Sequence, residues 1–192
     1  MNRAARNTLL AIGVIILIFI VSTISGYNKM VSLDQTVKRA SSNIDSDLQR
    51  RYDLIPNLVE TVKGYAKQEK QIFTDIANAR AKLGGAQTMQ DKANANTELD
   101  NTLSRLLVVV ENYPELKSNE NFKALMIQLE GTENRINVSR KDYNNAVDAY
   151  NSTIRKFPNS IIASIFRFEE KEYFKASENV KEAPKVDFSS GK

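Results

Sequence analysis

LDQTVKRASSNIDSDLQRRYDLIPNLVETV, residues 33–62, places an apolar side chain every three or four positions: Leu33, Val37, Ala40, Ile44, Leu48, Tyr52, Ile55, Val59 and Val62. Charged and amide side chains fill the intervening positions. A period near 3.6 puts the apolar set on one helical face and the polar set on the other. The same face continues through Ala66, Phe73 and Ile76 to Leu83, where Gly84-Gly85 supplies a helix stop. The expected element is a single helix over 29–83, about 80 Å long at ~1.5 Å per residue. Pro56 cannot donate to the carbonyl of Tyr52 and its ring crowds the preceding turn, so a kink is expected near 52–56.

Towards the N-terminus the pattern changes from one-sided to apolar all round. Residues 8–24 read TLLAIGVIILIFIVSTI, and no charge falls between Arg6 and Lys29. At ~1.5 Å per residue this run crosses the ~30 Å of a bilayer's hydrocarbon. Leu9, Ile12, Ile15, Ile16, Leu17, Phe19, Ile20, Val21 and Ile24 are the residues expected to meet lipid, with Tyr27 at the interface. A cleaved signal peptide fits the same residues, with Arg3 and Arg6 ahead of the apolar run and Thr23 and Ser25 near a cleavage site. The helical pattern that follows without a linker favours an anchor. Orientation is not set by charge, since Arg3, Arg6 and the amino terminus on one side balance Lys29, Lys38 and Arg39 on the other.

Beyond Gly85, residues 84–95 are small and polar and are expected to form a surface loop. Leu99, Leu103, Leu106 and Val110 mark a short second helix ended by Tyr113-Pro114. Ser118 or Asn119 caps a third helix, 119–156, whose stripe is Phe122, Leu125, Leu129, Ile136, Tyr143, Val147, Tyr150 and Ile154. Phe157-Pro158 closes it, and 159–177 form a fourth amphipathic stretch with Ile161, Ile162, Ile165, Phe166, Phe168, Tyr173 and Phe174. The expected fold is therefore all-α: one N-terminal transmembrane helix, then an elongated antiparallel up-and-down four-helix bundle. The expected division is an anchor at 1–28, the bundle at 29–176 and a disordered tail at 177–192.

Composition narrows the chemistry. The 192 residues contain no histidine and no cysteine, and only 7 glycines and 4 prolines. Zinc sites of the His/Cys kind, haem ligation by those residues, disulfides and Cys–His or Ser–His–Asp nucleophiles are excluded. No phosphate-cradling glycine loop and no Asp-x-Asp-x-Asp-Gly loop occurs. The net charge is +4, but beyond Arg6 it is 25 Lys and Arg against 23 Asp and Glu, interspersed rather than gathered into a basic face. That argues against nucleic acid. No catalytic residue, metal, cofactor or small-molecule substrate is expected.

Residues 50–67, RRYDLIPNLVETVKGYAK, resemble the hallmark of the LemA family. Further stretches match in family order: ANARAKLG at 77–84, ENYPELKSNENF at 111–122, LEGTENRI at 129–136, SRKDYNNAVDAYN at 139–151 and FPNSIIASIFRF at 157–168. The resemblance implies an N-terminal anchor, a four-helix bundle and a bacterial membrane protein whose molecular activity is not firmly assigned. Within these motifs Arg50, Arg51, Asp53, Pro56, Asn57 and Glu60 surround the expected bend, either as a docking surface or as groups that satisfy the freed backbone. Glu133 and Arg140 lie on or beside the third stripe, seven residues apart, and a charge there needs a partner if buried. Arg51, Arg80 and Glu60 are the candidate partners, and an interhelical register device is the expected role. Tyr143, Asn144, Asn145, Tyr150 and Asn151 are expected to form an exposed face for lateral self-association. The functional expectation is a non-enzymatic scaffold that contacts membrane lipid and further copies of itself. An adaptor for another membrane protein, such as a membrane protease, is the alternative.

Overall fold

The computed structural model describes residues 3–175; of the first eleven side chains only those of Asn7 and Leu10 are described. The expected tail at 177–192 lies outside the described residues, as does the side chain of Leu9. Among the described residues all regular structure is helical: α1 (Arg3–Lys63), α2 (Lys70–Gly85), α3 (Met89–Val110), α4 (Pro114–Ser118), α5 (Glu120–Arg155) and α6 (Asn159–Phe166). The all-α helical class expected from periodicity is what the chain adopts. The chain divides into two units. The first joins Met1–Ser42 to Lys141–Glu172, and the second joins Asn43–Arg140 to Tyr173–Lys192.

In the second unit α1 contributes Ile44, Leu48, Ile55, Leu58 and Val62 to the core, all buried. Their steps of three and four residues are those of a packed helical seam, and the position between Leu48 and Ile55 that the seam requires is Arg51, itself buried. The helix does not continue to Leu83. It ends at Lys63, where the Tyr65 and Ala66 amides both donate to the Val62 carbonyl, at 3.0 and 2.9 Å, and the chain turns into α2. The expected unbroken helix over 29–83 is corrected here. Gly64 and the polar run Lys67-Gln68-Glu69-Lys70-Gln71 interrupt the stripe, and the apolar positions on either side belong to two helices. Ile72, Ile76, Ala79 and Leu83 then bury the inner face of α2, which packs along α3.

The second correction concerns 84–95. α3 starts at Met89, because Thr88 and Asp91 form a capping box: the Asp91 amide donates to Thr88 Oγ1 at 3.0 Å, and the Thr88 amide donates to Asp91 Oδ2 at 3.3 Å. Ala93 and Ala95 are core residues, not loop. A short helix, α4, opens on Pro114 and buries Leu116. Asn119 is the cap of α5, its Oδ1 accepting from the Phe122 amide at 3.0 Å.

In the first unit Met30, Val37 and Ala40 of α1 share the core with Tyr143, Val147, Tyr150 and Ile154 of α5. The expected helix over 159–177 stops at Phe166. Arg167 takes the left-handed conformation (φ 57°), and its amide and that of Phe168 both donate to the Ala163 carbonyl. Residues 168–172 run on as non-helical chain. Asn151 receives this non-helical segment as a backbone would: its Nδ2 donates to the Lys171 carbonyl and its Oδ1 accepts from the Lys171 amide, both at 2.9 Å. Tyr143 donates its hydroxyl to the Glu172 carbonyl at 2.8 Å. The residues expected to form an outward self-association face are therefore mostly internal. Tyr143, Tyr150 and Asn151 are buried, Asn144 is half-buried, and only Asn145 is exposed. Having lost the helical ladder beyond Phe166, the chain needs other partners for its amides and carbonyls, and these side chains supply them.

Pro56 sits inside α1 and leaves the Tyr52 carbonyl without its helical donor. Arg80 of α2 takes the place, its Nε donating to that carbonyl at 3.1 Å, while its guanidinium lies 3.7 Å from the centre of the Tyr52 ring. Replacing Arg80 with Met is expected to cost about 1.5–3 kcal/mol, the worth of a hydrogen bond to a charged donor. In a Pro56→Ala background, where residue 56 regains an amide, the same replacement should cost clearly less. Thermal unfolding of the four proteins of this cycle, followed by circular dichroism in detergent, measures the difference; equal costs in both backgrounds would contradict the assignment.

Candidate functional site

Two places in the chain gather polar or apolar groups in ways the core alone does not require. The first is the seam position Arg51. From α1 its guanidinium reaches two further helices: Nη1 donates to Asn96 Oδ1 of α3 at 2.7 Å and to the carboxylate of Glu133 of α5, and Nη2 donates to the carboxylate of Asp100 of α3. Asn96 Nδ2 in turn donates to Asp100 Oδ2 at 3.2 Å. Arg140 adds its charge to the field at Asp100. Burial raises the Asp100 carboxyl above its ordinary value, and Glu133 adds to this, more than the opposing charges of Arg51 and Arg140 lower it. Such a cluster contributes little net stability compared with apolar groups of the same shape, but it ties the three helices to one register.

The other residues singled out around the bend stand elsewhere. Arg50 is exposed. Asp53 is exposed and accepts from Gln49 Nε2 at 2.9 Å, Glu60 pairs with Lys63 at 2.8 Å on the surface, and the exposed Asn57 uses its carbonyl for the Thr61 hydroxyl. Of the partners expected for Glu133 and Arg140, Arg51 is the one that pairs with Glu133, while Arg140 acts on the same cluster through its charge at Asp100. Asn96 and Asp100 were not picked out from the sequence. Their signal is present in it, because with Leu99 and Leu103 they occupy positions i, i+3, i+4 and i+7 of α3, so two polar groups share the core-facing stripe.

A smaller polar cluster lies in the first unit. Asp34 pairs with Lys38 at 2.8 Å and Lys171 at 3.2 Å, and Lys171 also lies 5.6 Å from the centre of the Tyr150 ring. Burial alone would raise Asp34, but the two ammonium groups outweigh it and hold its carboxyl below the ordinary value. Among the described residues no group of three or more His, Cys, Asp or Glu is arranged to hold a metal ion.

The second place is α1 itself. Among the described residues it is the one helix long and apolar enough to cross a membrane. Ile12, Ile15, Ile16, Leu17, Phe19, Ile20, Val21 and Ile24 are all exposed, Phe19 by 66%. Where this stretch ends, Gly26 lets α6 approach. A Cβ on Gly26 would stand 2.7 Å from Asn159 Oδ1 and 3.0 Å from Ile162 Cδ1. Tyr27 follows, its ring 4.8 Å from Phe166 and 5.7 Å from Phe168, centre to centre.

The LemA family profile matches residues 40–188, which takes in the Arg51 cluster, α6 and every motif quoted above. The chain belongs to the LemA family. Similar proteins include Magnetosome protein MamQ 2 of Paramagnetospirillum magneticum, 28% identical, with 91% of this chain and 74% of that protein covered. Magnetosome protein MamQ of Magnetospirillum gryphiswaldense is 29% identical over the same shares. Protein LemA of Metamycoplasma hominis is 23% identical over 79% of this chain and 69% of its own length. In this LemA-family chain the hallmark stretch RRYDLIP contains both special features of α1, the buried Arg51 and the helix-internal Pro56.

Two measurements check the electrostatics. Arg51→Met leaves Asp100 and Glu133 facing each other without their shared cation, and about 3–5 kcal/mol of stability is expected to be lost. Adding Asp100→Leu and Glu133→Met should recover most of it, and chemical unfolding of both variants reads the result. Asp34 and Asp100 should also answer to pH with opposite sign. The raised carboxyl of Asp100 gives a contribution that is full below the ordinary 3.8 and is lost as pH rises through the folded value. The lowered carboxyl of Asp34 gives one present above 3.8 and lost as pH falls through the folded value. Difference curves of stability against pH, wild type minus Asp100→Asn and wild type minus Asp34→Asn, should slope in opposite directions; parallel curves would refute the pairing.

Proposed function

We propose that this LemA-family protein is a membrane-anchored, non-enzymatic scaffold of the bacterial membrane that associates laterally with copies of itself. The observation that carries the reading is the apolar part of α1, exposed at every position over Ile12–Ile24 except the half-buried Thr23 and passing without a break into the helical fold. In water that surface is unfavourable by about 25 cal/mol per Å² of apolar area. In hydrocarbon it is at home, and every backbone group within it is satisfied by the helix. The MamQ and LemA relatives are in keeping with a membrane-associated helical protein.

Self-association draws support from the outer face of α5. Ile127 and Val138, 70% and 61% exposed, are eleven residues apart and so share a face, three turns from one to the other. Gly131 lies between them and has open space where a side chain would stand. A narrow face of this kind suits helix-on-helix contact between copies.

The chain has no cysteine, so single replacements report cleanly. With Ile127→Cys or Val138→Cys, oxidation in native membranes should yield a species of dimer mass, and Ile127→Glu placed beside Val138→Cys should abolish it. Protein that remains monomeric at high membrane density would overturn self-association. Mature protein released by alkaline carbonate, with its N-terminus beyond residue 25, would overturn the anchor.

A further inference from the structure

α6 turns Ile162 and Ala163 inward but leaves Ile161, Ile165 and Phe166 exposed, and the preceding Phe157 is 82% exposed. A helix of eight residues that shows this much apolar surface is not explained by the core it joins. What it lies beside is the end of the apolar part of α1. Between them runs a groove of about 300 Å³, walled by Phe19, Ser22 and Thr23 on one side and by Phe157, Ile161 and Ile165 on the other. Its polar content is small, and the Thr23 hydroxyl is already committed to the Phe19 carbonyl at 2.8 Å. Gly26 lets the two helices approach closely at this level, since the space a Cβ would take there is filled by Asn159 and Ile162.

We propose that α6 is a second membrane-contacting element, with its outer face and this groove occupied by acyl chains of the leaflet that adjoins it. The inference rests on the reading of α1 as a membrane span and goes beyond it. Continuity identifies the occupant: one wall of the groove is the exposed apolar surface of α1, so whatever surrounds Phe19 also fills the groove. The depth agrees. Phe19 precedes Gly26 by seven residues, about 10 Å along the helix axis, and interfacial helices bury their apolar face about 5–10 Å below the headgroups. The charges agree as well. Lys156 before α6 and Arg167 after it are exposed, and Lys29 stands three residues past Gly26, where ammonium and guanidinium groups reach lipid phosphates.

Single cysteines at Leu17, Ile165 and Ser42, each carrying an environment-sensitive fluorophore, test this in the full-length protein. The protein is placed in phosphatidylcholine–phosphatidylglycerol vesicles whose acyl chains carry a nitroxide near the headgroup or near the terminal methyl. Ile165 should lose most fluorescence to the shallow nitroxide, Leu17 most to the deep one, and Ser42 almost none to either. Quenching at Leu17 without quenching at Ile165 would overturn the proposal while leaving the anchor intact. Loss at neither would remove the anchor and the proposal together. A blue-shifted but unquenched label at Ile165 that depends on protein density would show a second copy in the groove and would also overturn it.

Discussion

The guanidinium of Arg51 is the constraint around which the second unit is organised. A seam of Ile44, Leu48, Ile55 and Leu58 would pack acceptably against neighbouring helices in more than one register, because one apolar side chain replaces another at modest cost. A buried cation does not have that freedom. It requires the Asp100 and Glu133 carboxylates and the Asn96 carbonyl together, and these come from two different helices at positions fixed along each. Sliding α3 or α5 by one turn would carry a carboxylate about 5.4 Å away and leave charge buried without a partner. The arrangement selects one packing over its near competitors, which is the role best attested for buried polar groups in helical seams.

Pro56 extends the same logic along α1. It withholds a donor from the Tyr52 carbonyl, and Arg80 supplies one from α2. Gly84, at the far end of α2, lies against the Tyr52 ring, where a Cβ would stand 3.0 Å from Cε2. Two adjacent residues of α1, Arg51 and Tyr52, thus settle the placement of α2, α3 and α5, one through its side chain and the other through its carbonyl and ring.

The helical class and most of the core positions were legible from periodicity, since Val37, Ile44, Ile55, Leu129, Ile136 and Val147 fall on stripes that the structure buries. Element ends were less so, and for a common reason. Gly64 and the polar run after it interrupt a stripe whose phase resumes by coincidence in α2, so periodicity alone reads through the turn. Thr88 and Asp91 form a capping box with aspartate in place of the usual glutamate, inside a stretch whose small residues resemble a loop. At the other end Arg167 stops α6 by adopting a left-handed conformation without a glycine to announce it. The residues of the Arg51 cluster were half visible. Glu133 and Arg140 stand out beside an apolar stripe, whereas Asp100 requires α3 to be placed first. Tyr143 fell on the apolar stripe of the third helix as well as on the expected outward face, and the structure keeps the first reading; burial of Asn151 could not be read at all, because its partner is the backbone of a segment whose non-helical path only the structure shows.

The apolar residues that remain exposed are not spread evenly. In the first unit they gather on α1 up to Ile24 and on Phe157 and α6, while the polar pairing of Asp34 with Lys38 and Lys171 begins eight residues past Gly26. Half-burying Phe157, Ile161, Ile165 and Phe166 in hydrocarbon is worth about 1 kcal/mol each, a few kcal/mol together. That is small beside the insertion of a full span and would not anchor the chain by itself. Under the proposed anchoring it is enough to set how α1 would meet the bilayer. A lone span of this length is free to tilt and rotate at fractions of a kcal/mol per Å of mismatch. In the proposed reading, a span packed closely against an apolar helix at Gly26 keeps that helix at the interface, so tilt and rotation are restricted about one face.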